Sequence, residues 1–145
     1  MEDSGILLES SEPTSESNRA PDGNASGRID LRYTKADGTI QKWSLIKFAL
    51  RTSYDERKRI WSSVGHGDSR THRYAMNITY DVSDRLLTVS LQNRVFTIPG
   101  THMQATNFND RSTLNISILR DAEGTADAFG DQYLMKGGSH LNISV

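Results

Sequence analysis

The chain has 145 residues and no cysteine, with 24% charged and 35% hydrophobic side chains and a formal net charge of −1. Without cysteine, disulfides, thiolate metal sites and a cysteine nucleophile are excluded, and no run nears the ~20 apolar residues of a membrane-spanning helix. The near-neutral total hides a split: residues 1–27 carry Glu2, Asp3, Glu9, Glu12, Glu16 and Asp22 against Arg19, a balance of −5 that leaves +4 on the remainder.

The first segment, 1–27, holds Ser4, Ser10, Ser11, Ser15, Ser17 and Ser26 with Pro13 and Pro21. It has too little apolar area to offset the ~1–2 kcal/mol of backbone entropy lost per ordered residue. It is read as a disordered acidic tail preceding a single β-rich domain over 28–145. Ile6-Leu7-Leu8 is short, flanked by acids and without a basic leader, so it is not read as a signal peptide.

From Arg28 the pattern is alternation. Ile29, Leu31 and Tyr33 alternate with Asp30 and Arg32, which reads as a half-buried strand. Asp37-Gly38 supplies a hairpin turn. Thr39 to Leu50 alternates imperfectly, as a bulged strand or two strands would. Ser53 to Gly65 reads as the one helix, with its body at 54–64. Ser53 and Glu56 have capping-box spacing, Tyr54, Ile60, Trp61 and Val64 recur at helical intervals, and Gly65 supplies the stop.

His66 to Thr71 reads as a polar loop. Tyr74, Met76, Ile78 and Tyr80 alternate as a strand, as do Leu87, Val89 and Leu91, then Val95 to Ile98. Residues 101–111 read as a long polar loop around Phe108. Leu114, Ile116 and Ile118 form the next strand. Residues 121–130 read as a loop with a helical turn over 126–129. Tyr133 to Met135, Gly137-Gly138 and Leu141 to Val145 read as a closing hairpin. The sum is mainly β: an antiparallel β-sandwich, or a partly closed barrel, of about eight short strands with one helix.

Asp3-Ser4-Gly5-Ile6 followed by Ser10 resembles the phosphodegron class of short motifs. The resemblance covers residues 3–10 only. It implies phosphorylation at Ser4 and Ser10 and a ubiquitin-ligase receptor of the F-box type as the reader, because each phosphate adds about −1.5 to −2 charge for an arginine cluster to bind. Of four Asn-X-Ser/Thr triplets, at Asn24, Asn77, Asn115 and Asn142, the last three fall in strand-like runs as polar-face residues, and all four are read as coincidence rather than glycosylation sites.

Three further groups stand out. Arg57, Lys58 and Arg59, with Arg70 and Arg73, lie in a stretch 42–73 whose balance is +5, and a basic helix face of that kind follows phosphates on RNA or an anionic membrane. His66, Asp68, Ser69 and His72 combine residue types used by hydrolases and metal sites, but neighbours in one loop rarely meet the required geometry, so no catalytic residue, metal or cofactor is assigned. His102, Asn107 and Phe108 mark a loop suited to a protein partner.

These features favour a non-enzymatic, cytoplasmic protein-interaction module with a phosphorylation-tunable tail, open to homo-oligomerisation through an edge strand. The second reading is a viral structural or accessory protein that binds RNA or an anionic membrane through the basic helix face.

Overall fold

A computed structural model describes residues 24–107, 112–125 and 130–145. Ser4, Ser10 and Phe108 lie outside the described residues, as do the helical turn expected over 126–129 and the tail up to residue 23. Within the described residues every regular element is a strand.

Twelve strands follow one another as β1 (Asn24–Thr34), β2 (Ile40–Leu45), β3 (Lys47–Asp55), β4 (Ile60–Asp68), β5 (Arg73–Asp81), β6 (Leu86–Leu91), β7 (Arg94–Pro99), β8 (Met103–Asn107), β9 (Thr113–Ile118), β10 (Ala122–Thr125), β11 (Gln132–Met135) and β12 (His140–Ser144). All pairings are antiparallel. The expected fold class therefore holds without its helix. The four additional strands come from a split of the imperfect 39–50 run, from the predicted helix, and from two predicted loops that are β8 and β10.

The helix is the principal correction. Residues 53–65 form the end of β3, a turn and most of β4, paired as Ser53↔Ser62, Tyr54↔Trp61 and Asp55↔Ile60. The apparent cap is a turn device: Asp55 Oδ1 accepts from the backbone N–H of Arg57 and of Lys58, each at 3.0 Å. Arg59 takes φ 59°, which closes the turn. The alternation was concealed because two inward positions are polar. Thr52 and Ser63 face each other in the core, with hydroxyls 2.8 Å apart. Val64, assigned to the apolar stripe, is instead 56% exposed. Gly65 stops nothing; it lies within β4, where a Cβ would run into the Ala49 carbonyl.

β1 organises the molecule. It begins at Asn24, so residues 24–27 belong to the sheet rather than to the tail. One edge of β1 pairs with β3 at Ala25↔Phe48 and with β2 over Ile29↔Leu45 to Thr34↔Ile40. The other edge pairs with β12 over Asn24↔Ser144 to Arg28↔His140, and with β11 over Leu31↔Met135 to Thr34↔Gln132. Each neighbour is thus one long course broken at a corner, at Ile46 on one side and at Lys136–Ser139 on the other. The second corner is tied to β1, because Asp30 N–H donates to Ser139 Oγ at 3.0 Å and Lys136 N–H to the Asp30 carbonyl at 2.9 Å. Gly27 sits where β1 passes β12, at φ 147° and with no room for a Cβ beside the His140 carbonyl.

The meander β3–β4–β5–β6–β7 continues through β10 and β11 back to β1, closing a ring of pairings. β12, β9 and β8 extend from β1 as a second layer over the first. Ile78, Leu87 and Val89 from the meander meet Ile116, Ile118 and Leu141 from the second layer. The space left between them is about 10 Å³, room for no more than one water. Fully buried Phe96, Leu45, Leu50, Ile98 and Trp61 fill the rest of the core, each contributing about 1.5–3 kcal/mol by leaving water.

Candidate interaction surface

The second layer ends at β8, which pairs with β9 and, among the described residues, with nothing else. Its register is Met103↔Ile118, Gln104↔Ser117, Ala105↔Ile116, Thr106↔Asn115 and Asn107↔Leu114. Backbone polarity alternates along a strand, so the partners of β9 fix what β8 leaves open. Ile118 N–H donates to the Ser139 carbonyl, Ile118 C=O accepts from Gly138 N–H, and Leu119 N–H donates across to the His102 carbonyl. Ile118, Ile116 and Leu114 therefore bond towards β12, while Ser117 and Asn115 bond towards β8. It follows that Gln104 and Thr106 complete the ladder with β9. The N–H and C=O groups of Met103, Ala105 and Asn107 point away from the sheet.

No residue of β8 is charged and none is proline. The row of side chains running back from Thr106 is neutral as well. Ser26↔Asn142, Asn142↔Asn115 and Thr106↔Asn115 place Ser26, Asn142, Asn115 and Thr106 in one row across β1, β12, β9 and β8. Three of the four Asn-X-Ser/Thr triplets thus meet as cross-strand neighbours on a strand face. β2, the other strand paired on one side, differs: it carries exposed Lys42, and the Ile46 N–H at its end is already donated to the Asp68 carbonyl at 2.8 Å.

The structure disperses the predicted basic patch. Arg57, Lys58 and Arg59 occupy the exposed β3–β4 turn, whereas Arg70 and Arg73 belong to the β4–β5 hairpin at the opposite end of β4. Nine residues of strand separate the two ends by roughly 27–30 Å. Acidic Glu56 and Asp84 stand in the turns at the first end. At the second end Arg73 is engaged by Asp68, at 3.3 Å from both Nε and Nη2.

His66 and His72 take different partners. His66 Nδ1 lies 3.0 Å from Asp68 Oδ1 within β4. Ser69 Oγ instead accepts from the backbone N–H of His72 at 3.0 Å, holding the hairpin turn. His72 Nδ1 is 2.8 Å from Thr71 Oγ1, and its ring stacks on Tyr74. Among the described residues no group of three His, Asp or Glu side chains is placed to hold a metal. No helix among them is long and apolar enough to cross a membrane.

One polar cluster escaped the sequence reading. Arg94 is 8% exposed, at the start of β7. Its guanidinium lies 4.4 Å above the Tyr133 ring, and Nη2 donates to Tyr133 Oη at 3.1 Å. Tyr133 packs on Tyr33, whose hydroxyl donates to Asp131 Oδ2 at 2.9 Å. Asp131 also accepts the Ala36 N–H. Burial, and then the bond to Asp131, push the Tyr33 phenol well above its ordinary pKa of 10. The signal was present: Arg94 is in phase with Phe96 and Ile98, so alternation already aimed it inward. Trp43 stands edge-on to both tyrosines and completes the aromatic wall.

Comparison with protein-family models, with curated proteins and with solved structures gives no match. The geometry defines the class: among the described residues, an all-β antiparallel domain with a closed ring, a second layer and an uncharged open edge at β8.

Proposed function

We propose that the protein is a non-enzymatic interaction module that takes an extended strand of a protein partner along β8. The observation that carries this reading is the row of outward N–H and C=O groups at Met103, Ala105 and Asn107 on an edge without charge, proline or cover among the described residues. Natural sheets usually blunt such an edge; an unblunted one templates strand addition. Of the residues expected as loop contacts for a partner, Asn107 ends this edge and His102 immediately precedes it.

The acidic tail supplies the regulatory half of the proposal. Phosphorylation at Ser4 and Ser10 would recruit a ubiquitin-ligase receptor and deepen a local negative charge. The absence of cysteine supports a reducing, cytoplasmic setting. The RNA or membrane reading loses the helix face on which it rested, and its five basic residues stand at two ends of a hairpin.

Ala105→Pro tests the reading, since proline removes an outward N–H while the β8–β9 ladder keeps its bonds at Gln104 and Thr106. Proteins captured from cell extract by the native chain should be lost selectively by this variant. An unchanged set of captured proteins would reject β8 as the surface.

A further inference from the structure

The outward side of β8 is self-complementary. We infer that β8 pairs antiparallel with β8 of a second copy of this chain, about a two-fold axis through Ala105. This rests on the reading of β8 as a strand-accepting edge and names its occupant.

The register follows from which groups are open. Ala105 directs both N–H and C=O outward, so two copies facing each other at Ala105 exchange two hydrogen bonds, as a hydrogen-bonded antiparallel pair requires. Closed two-fold symmetry needs a surface to meet itself, residue i against j and j against i. Centred on Ala105, Gln104 of each copy stands opposite Thr106 of the other, and Met103 opposite Asn107. Every cross-strand pair is then neutral, with no like charges to repel. The row Ser26–Asn142–Asn115–Thr106 continues into Gln104 and Ser117 of the second copy, so amide and hydroxyl side chains run unbroken through the contact, before His140 and Arg28.

β2 does not meet these conditions. A two-fold pairing along it would bring Lys42 of each copy into the same short ladder, and its terminal N–H at Ile46 is already given to Asp68. The β8 contact is short, about 17 Å of ladder. It buries less than the roughly 800 Å² per partner of a standard interface, so association is weak and concentration-dependent.

The test is sedimentation velocity of the full chain over a concentration series reaching the near-millimolar range. The mass should rise from 16.2 kDa towards twice that value. Ala105→Pro should weaken association roughly tenfold or more, because both central hydrogen bonds lose their donor. A charge pair reads the register without touching the backbone. Gln104→Lys with Thr106→Lys should abolish association, while Gln104→Lys with Thr106→Glu should retain it, because each introduced charge then faces its opposite in the second copy. A chain that stays monomeric throughout overturns the inference, as does equal association of the two charge variants. If the chain stays monomeric while Ala105→Pro still loses captured proteins, only the identity of the occupant fails. If neither effect appears, the reading of β8 fails with it.

Discussion

At the Arg94 end of the ring a full charge is buried, and its hydrogen bonding runs inward, from Arg94 to Tyr133, with Tyr33 and Asp131 packed behind. Along β8 no side chain is charged, and the unspent hydrogen bonds belong to the backbone and point outward. The first region commits its polarity to fixed internal partners, so losing one partner strands another in a low-dielectric site. The second holds no element of the fold in place on its outer side, so under the proposed strand pairing changing it leaves the fold intact and alters what the molecule can meet. On the proposed reading, stability and recognition sit in different layers of this protein, and substitutions should separate them.

The largest effect is expected beside Arg94. Phe96→Ala empties a fully buried ring site next to Gly124 and should cost about 3–5 kcal/mol in urea unfolding. Arg94→Ala leaves the Tyr133 hydroxyl without its donor and opens space over its ring, a loss of about 2–3 kcal/mol. Arg94→Met should cost less than Arg94→Ala. It restores the packing and removes a charge whose Nε has no hydrogen-bond partner among the described residues.

Tyr33 sharpens the contrast through pH. Its folded pKa is raised, so the folded state keeps the phenol proton after the unfolded chain has lost it. Its contribution is intact below pH 10 and falls as pH rises further. Tyr33→Phe should cost about 1 kcal/mol at neutral pH through the lost bond to Asp131. It should also flatten the alkaline decline in melting temperature, and an unchanged slope would remove Tyr33 from this role. Tyr80, raised by burial in the same sense, leaves a residual slope in that variant.

Smaller effects are expected at the surface. Ala105→Pro should shift folding stability by no more than about 1 kcal/mol while weakening self-association roughly tenfold or more, which separates the two properties. Replacing Arg57 and Lys58 by serine should change stability by less than about 0.5 kcal/mol, since both side chains are exposed in a turn. Thermal melts beside sedimentation would show whether either substitution crosses from one region into the other.

Alternation by itself determined the mainly β class, the antiparallel hairpins and most inward residues, because a pleated strand half in water leaves a period of two in the sequence. Leu31, Met76, Ile78, Leu87, Val89, Ile116 and Ile143 were legible on that ground, and Arg94 could have been. The tertiary structure decided what local pattern could not. Thr52 and Ser63 are polar yet inward because each satisfies the other across β3 and β4, a relation invisible until the strands are paired. Without it, the capping-box residues and the spacing of Tyr54, Trp61 and Val64 describe a helix equally well. β8 was hidden for a related reason: Ala105 is small, the alternation around it is faint, and being an edge is a property of neighbours. Which strand edge stays open among the described residues is encoded by no single residue; only the assembled sheet, with β9 paired on one side, leaves the Ala105 backbone facing out.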